Sequence, residues 1–291
     1  MSEWKLAIVG GSGLYALDGL TDVRTEVVET PWGKPSGPLV HAQLQGVELV
    51  FLARHGEGHR VTPSAINYRA NIDALKRAGV TDILSLSACG SLKEDLAPGA
   101  FIAVDQFIDR TVSREKSFFG EGCVAHVAMA DPVCKRLAAM AATAAEAAGV
   151  GHVQRAGTYL AMEGPQFSTR AESQLYRSWN CDVIGMTNMP EAKLAREAEL
   201  PYASLCMVTD YDCWRTPDAD VSIADILAIM KTNSDAAQAT VRALVREMAS
   251  TARTPSPQGI EQALEYAIIT APEARDPALL AKLDAVAGRV L

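Results

Sequence analysis

The sequence predicts an α/β fold: a single-domain, mixed, mainly parallel twisted sheet flanked by helices. Six short runs, nearly all apolar rather than alternating, recur along the chain: Lys5–Val9, Leu49–Ala53, Asp82–Leu86, Phe101–Val104, Asp182–Ile184 and Ala203–Val208. Such runs suit strands buried on both faces. Helical patterns lie between them, and strands alternating with helices imply a sheet sandwiched by helices. Most of the runs also end in small or polar residues, the loop ends at which open α/β sheets bind ligands.

The helices follow in order. Ser64–Ala78 begins after Pro63 and carries Ile66, Ala70, Ile72 and Leu75 on one face. Val133–Ala148 is a second. Thr169 followed by Glu172 fits a capping box opening a third. Asn188-Met189-Pro190-Glu191 places a cap residue and a proline at the start of a fourth. Ser222–Ser250 carries a long amphipathic stripe, Ile223 and Ile226 at its start. The Pro- and Ser-containing stretch Thr251–Gly259 is the one soft boundary. The reading is one domain over 1–250, and a linker with a helical appendage over 251–291, docked on that domain or on a neighbouring subunit.

Composition narrows the function. Among 291 residues, 27 basic and 35 acidic side chains give a net charge of −8. That excludes nucleic-acid binding through a broad basic surface, but not a local cationic pocket for a small anion. No apolar run is long enough for a membrane helix. The N-terminus, MSEWKLAIVGG, is not a secretory signal. The six cysteines form no C-x-x-C pair and read as reduced thiols in a cytoplasmic protein. Cys123 and His126 form a lone C-x-x-H, too little for zinc, so no metal is expected.

Five loops carry chemistry. Gly10–Gly13, GGSG, lets backbone N–H groups approach an anion and adds the Ser12 hydroxyl; a simple tight turn is the alternative. Extended to Ala16 it also matches the dinucleotide fingerprint G-x-G-x-x-A, but Gly19 and Thr21-Asp22 interrupt the helix this would need. Arg54-His55-Gly56-Glu57-Gly58-His59 sets a planar, bidentate cation beside an imidazole. Ser87-Ala88-Cys89-Gly90-Ser91 offers hydroxyls and backbone N–H groups, with no activating partner for Cys89. Thr187 is a further hydroxyl. Asp210-Tyr211-Asp212 spaces two carboxylates i, i+2 on an extended segment. They can accept from an exocyclic amine and share a proton with a ring nitrogen, bind a metal, or cap a loop. Together the loops suggest an anion at one end of a site and a basic heterocycle at the other.

The stretches IVGGSGLY, TPWGKPS, ARHGEGH, PSAINYRANI, ACGSL, DQFIDRT, MEGPQFSTRAES, MTNMPEAKLA and TDYDCW, in that order over roughly residues 5–250, resemble the methylthioadenosine phosphorylases of the trimeric purine nucleoside phosphorylase family. The resemblance implies phosphorolysis of a 6-aminopurine thionucleoside, with inorganic phosphate as co-substrate and no cofactor. It implies that Ser12, Arg54, His55, Ser87, the Ala88 N–H and Thr187 hold phosphate. Met186 would lie against the sugar, and Asp210 and Asp212 would be catalytic at the adenine edge. Phe167 would contact the base, with Ser168 and Ile223 at the selectivity-determining wall. Ile226 would line the alkylthio pocket, and His126, on a loose loop over 118–129, would reach in from a neighbouring subunit of a homotrimer. Ser12 replaces a threonine of many relatives, and Gly185 stands where some have Asn. A 6-oxopurine phosphorylase, a dinucleotide-dependent oxidoreductase and a non-catalytic adenosine-binding module are the competing readings.

Overall fold

The computed structural model describes residues 4–11, 17–215 and 223–291, with side chains from 228 onward in the last stretch. Eleven strands among them form one sheet: β1 (Lys5–Gly10), β2 (Thr21–Glu26), β3 (Leu39–Leu44), β4 (Val47–Ala53), β5 (Asp82–Ser91), β6 (Phe101–Val104), β7 (Gln106–Asp109), β8 (Val153–Gln154), β9 (Thr158–Ala161), β10 (Val183–Gly185) and β11 (Tyr202–Asp210). The helices are α1 (Tyr68–Arg77), α2 (Lys135–Ala147), α3 (Arg170–Ser178), α4 (Asn188–Glu197), α5 (Ile223–Ser250), α6 (Pro277–Lys282) and α7 (Asp284–Ala287).

The centre is parallel, in the order β4-β1-β5-β11. Its alternating residues serve two cores, as the period of two along a strand requires. Ala7, Val9, Val50, Leu52 and Ile83 face α1 and α4. Leu6, Ile8, Leu49, Phe51 and Leu84 face α2 and α5. All six expected runs are strands. The strands that the apolar runs did not predict have other sources of stability. β2 (TDVRTE) is an exposed edge, β3 (LVHAQL) is paired on both sides by β2 and β4, and β7, β8 and β9 are short segments held by their neighbours.

Strand β5 decides where the site lies. β11 pairs with it from Ile83 to Gly90 along one edge. The other edge is divided: β1 takes Asp82–Ser85, and β10, antiparallel, takes Gly90 and Ser91. Among the described residues, no strand pairs with residues 86–89 on that edge. Within a strand a residue's N–H and C=O point to the same side, alternating from residue to residue. Leu92 donates to Asp182 O beside β10, so the even-numbered residues face the divided edge. The C=O of Leu86 and the N–H of Ala88 thus open into the gap. Ala88 is exposed there between buried Ser87 and Cys89.

Helix starts were partly mislocated by the sequence. The helix expected at Ser64 is a single tight turn over Pro63–Ala65; α1 proper starts after Asn67, whose side chain accepts from Ala70 N at 3.1 Å. The capping box at Thr169 and Glu172 is present. Asn188 does not cap α4: that helix kinks at Met189 (φ −120°, ψ 132°), and the Asn188 amide turns to Ser87 and Ser204 instead.

The segment after Ser250 packs on its own chain. Leu264, Leu283 and Val286 enter the α1/α4 core, and Arg253 and Arg289 pair with Asp82 and Glu199 at 2.5 and 2.7 Å. The same segment fastens the loop bearing His126. His126 N donates to Ala267 O at 2.9 Å, and Val124 N to Thr270 Oγ1 at 2.8 Å. The expectation of a loose loop is corrected by these bonds and by the burial of Phe118, Phe119 and Cys123.

Gly185 has a steric reason. A Cβ there would stand 2.1 Å from Tyr159 Oη, and that hydroxyl accepts the Thr187 N–H at 3.3 Å. Gly185→Ala should cost about 1–3 kcal/mol by overpacking, and adding Tyr159→Phe should recover part of it. Urea denaturation of the single and double variants checks this; equal stability of Gly185→Ala and wild type would contradict it.

Candidate active site

Arg54 follows β4 directly, and its backbone N–H donates to Gly10 O at the tip of β1 at 3.0 Å. Its side chain is buried against α4. Nε and Nη2 donate to Glu191 Oε2 and Oε1 at 2.8 and 3.1 Å, and Nη2 also reaches Ser85 Oγ at 2.6 Å and Val9 O at 3.1 Å. Nη1 makes one long bond, 3.3 Å, to Leu86 O. This corrects the expectation of a bidentate grip on an anion: the fork is committed to Glu191, and only the Nη1 edge is left for a ligand. Burial works against the charge, but Glu191 holds the guanidinium pKa above its ordinary value.

A polar chain runs on from Arg54. Ser85 Oγ lies 3.5 Å from Ser87 Oγ, which donates to Asn188 Oδ1 at 3.1 Å; Asn188 Nδ2 donates to Ser204 Oγ at 2.6 Å. Thr187, just before Asn188, is buried. Although β10 runs antiparallel to β5, its end delivers Thr187 to the chain that begins at Arg54. Arg54, Ser87, Ala88 and Thr187 thus converge on the divided edge of β5. Ser12, and the side chains of Ile223 and Ile226, lie outside the described residues.

His55 Nδ1 lies 2.8 Å from Val61 O. A carbonyl only accepts, so Nδ1 carries the proton and Nε2 is the acceptor in the neutral ring. Its ring stacks on His59 at 4.1 Å. Burial first, then the charges of Arg54 and His59, push the imidazolium pKa down to about 4, against the pull of Val61 O.

The acidic pair stands across the end of β5. Asp210 Oδ1 accepts from Asp212 N at 2.8 Å, and Oδ2 from Thr209 Oγ1 at 2.7 Å. Ser173 Oγ of α3 donates to Asp212 Oδ2. A Cβ on Gly90 would lie 3.1 Å from Asp210 Oδ1 and 3.4 Å from Asp212 Cβ, so the glycine admits the pair. Burial, and to a lesser extent the Asp210 charge, push the Asp212 carboxyl up although Ser173 opposes this.

The remaining residues are more scattered. Met186 packs on the loop at Gly164, where an added Cβ would meet Sδ at 2.5 Å. Ser168 is buried, its hydroxyl 3.7 Å from Met162 Sδ, while neighbouring Phe167 is 83% exposed. His126 is exposed on its fastened loop, and among the described residues no hydrogen bond joins it to the site. Sequence reasoning missed Glu191, Asn188, Tyr159 and Ser173. Glu191 sat in view as the first-turn acid after Pro190, but nothing along the chain tied it to Arg54.

A buried guanidinium and a run of hydroxyls thus stand at the split end of a mixed sheet, across from paired carboxylates. The chain belongs to the phosphorylase superfamily, whose profile matches residues 5–246. It is similar to the S-methyl-5'-thioadenosine phosphorylase of Bradyrhizobium diazoefficiens, 59% identical over 100% of this chain and 99% of the relative. The corresponding protein of Rhodospirillum rubrum is 54% identical over 98% and 97%. A crystal structure of a methylthioadenosine phosphorylase from an antarctic soil metagenomic library superposes with a TM-score of 0.91 at 46% identity, covering 98% and 99% of the two chains. A methylthioadenosine phosphorylase from Schistosoma mansoni in complex with adenine gives 0.84 at 35%, covering 91% and 99%.

The His55 assignment has a direct check. In the ligand-free protein its ring proton signals should titrate in NMR with a midpoint near 4, not near the ordinary value of about 6.5. The unfolded chain binds more protons between those values, so His55 removes stability as pH falls through that window. A midpoint above 6 would contradict the buried, cation-flanked ring.

Proposed function

We propose that the chain catalyses phosphorolysis of S-methyl-5′-thioadenosine, giving adenine and S-methyl-5-thio-α-D-ribose 1-phosphate, in purine and methionine salvage. The observation that carries this reading is the pairing, at the end of β5, of the divided edge with the Asp210/Asp212 carboxylates. The names of the relatives support the substrate.

In this reading phosphate occupies the gap. It takes hydrogen bonds from Arg54 Nη1, Ser87, the Ala88 N–H, Thr187 and Ser12. Neutral His55 accepts a hydrogen bond at Nε2 from a protonated phosphate oxygen. The bound dianion lies beneath the sugar. As the N-glycosidic bond breaks, positive charge grows on the sugar and negative charge on the base, and the dianion stabilises the first before attacking the anomeric carbon. Asp210 delivers or shares a proton at N7 of the departing adenine, and Asp212 accepts from the 6-amino group. Phosphate is consumed, and the chemistry calls for no metal or organic cofactor.

Met186 bears on the sugar, Phe167 and Ser168 on the base, and Ile223 and Ile226 on the alkylthio end, with Ser168 and Ile223 setting selectivity. We read the protein as a cytoplasmic homotrimer in which His126 of one subunit completes a neighbour's pocket. The nearly full exposure of Phe167 and Tyr266 supports an apolar surface that a second copy covers. The profile match ending at 246 supports reading 251–291 as an appendage of the 1–250 domain.

Methylthioadenosine with phosphate should yield adenine and the sugar phosphate, and nothing without phosphate. Methylthioinosine should react poorly, because two carboxylates would face its 6-oxo acceptor with too few protons between them. Asp210→Asn should lower kcat by about 100-fold or more, the usual worth of general-acid help. Chromatography of the products decides. Phosphate-independent cleavage, faster turnover of methylthioinosine, or near-normal turnover of folded Asp210→Asn would each overturn a stated part of the reading. Light scattering should give a trimer; a stable, fully active monomer would overturn the shared pocket.

A further inference from the structure

Arg114 sits in the loop after β7 with its side chain 1% exposed, and no part of the chemistry above uses it. Its guanidinium spans two segments. Nη1 donates to Met186 O, to Met189 O at 2.7 Å and to Tyr68 Oη at 3.1 Å. Nη2 donates to Glu163 O at 2.6 Å and Met162 O at 3.4 Å, and Nε to Glu163 Oε1 at 3.3 Å. The two carbonyls held by Nη1 bracket Thr187 and Asn188, the pair that closes the divided edge of β5.

Glu163 in turn fixes Arg114. Its carboxylate accepts from Ser64 Oγ, from Ser113 Oγ at 2.8 Å, from Val112 N and from Ser113 N at 3.2 Å. Burial opposes its charge, but these bonds hold the carboxyl down at about 2, so it is ionised at any working pH. Four chain segments, at 63–65, 112–114, 162–164 and 186–189, therefore meet on one ion pair.

We propose that Arg114 is a positioning residue for the phosphate half of the site, with Glu163 holding it in place. The proposal rests on the reading that Thr187 is a phosphate ligand. The turn at Thr187–Asn188 is irregular, with Met189 outside helical geometry, and local hydrogen bonding alone does not maintain it. On one side Asn188 is tied to Ser87 and Ser204, and Thr187 N to Tyr159 Oη. On the other side the tie is Arg114. Without it, Met186 O and Met189 O seek other donors, and Thr187 shifts relative to Ser87 and the Ala88 N–H. Asp210 and Asp212 share no contact with Arg114 among the described residues. Loss of Arg114 therefore falls first on Thr187, and reaches the nucleoside only through the Met186 carbonyl and the 162–164 segment, not through the carboxylates.

The test is steady-state kinetics of Arg114→Ala with phosphate and methylthioadenosine varied in turn, beside Thr187→Ala. A misplacement of about 1 Å can cost about 100-fold, so a smaller shift of Thr187 should raise the phosphate KM about tenfold, while the nucleoside KM, reached only through Met186 and the 162–164 segment, changes less than about threefold. A cavity of about 260 Å³ lined by Ser64, Tyr68, Ser113 and Arg114 borders the guanidinium. Added guanidinium ion should enter there and restore a large part of the phosphate KM, which a merely destabilised fold would not show. Should Arg114→Ala fail to fold, Glu163→Gln carries the test, with a smaller rise in the phosphate KM, about threefold. An unchanged phosphate KM in a folded Arg114→Ala, or in Glu163→Gln where that variant carries the test, overturns the proposal if Thr187→Ala raises it. So does a loss shared equally between the two substrates that guanidinium does not relieve. An unchanged phosphate KM in Thr187→Ala overturns the underlying assignment of Thr187, and the role of Arg114 with it.

Discussion

The buried ion pair between Arg54 and Glu191 is the interaction on which the rest of the site depends. One guanidinium joins the end of β4 to the carbonyl of Val9 in β1, to Ser85 and Leu86 in β5, and to α4. Tyr202 of β11 completes the set by donating to Glu191 Oε1 at 2.9 Å. Four parallel strands and one helix are thereby fixed against each other at the carboxyl end of the sheet. Removing either partner would leave a desolvated charge, at a cost of about 3–5 kcal/mol. The arrangement also has a chemical consequence. A guanidinium balanced by a carboxylate is held in place, so in the function proposed above its Nη1 edge would meet the anion without reorganisation of the cation.

Around that pair, the sheet makes the site by failing to be continuous. β5 is long enough to be shared by β1 and β10 along one edge; between them the Leu86 carbonyl turns to Arg54 Nη1, and the Ala88 N–H faces no strand among the described residues. Glycine serves the two sides of this opening for different steric reasons. Gly90 leaves room for Asp210 and Asp212, and Gly185 leaves room for Tyr159, whose hydroxyl steadies Thr187. The Thr187 side and the acidic side are thus held by separate contacts, which in the function proposed above would let nucleophile and leaving group be aligned independently.

The centre of the fold was legible in the sequence because strands buried on both faces must be apolar throughout, and all six such runs form strands. β2, β3, β7, β8 and β9 were not legible, since their pairing comes from neighbours rather than from a continuous apolar run of their own. The loops bearing Arg54, Ser87, Thr187 and Asp210 were visible as small and polar residues after apolar runs. Their order in space was not, because β10 reverses direction, a fact of topology that no local pattern records. The commitment of Arg54 to Glu191 was likewise hidden. The two lie 137 residues apart, and a lone arginine in a glycine-rich loop reads equally well as free. Asn188 shows the opposite error: its position before Met189-Pro190 suits a cap, but tertiary hydrogen bonds to Ser87 and Ser204 prevail over that local preference.

The most direct measurement is a crystal structure of the full chain with bound inorganic phosphate. The account predicts phosphate in the gap beside residues 86–89 of β5, within hydrogen-bonding distance of Arg54 Nη1, Ser87 Oγ, the Ala88 N–H and Thr187, with the bonds from Arg54 to Glu191 intact. Phosphate bound elsewhere, or bound in the gap only after Arg54 has left Glu191, would contradict it.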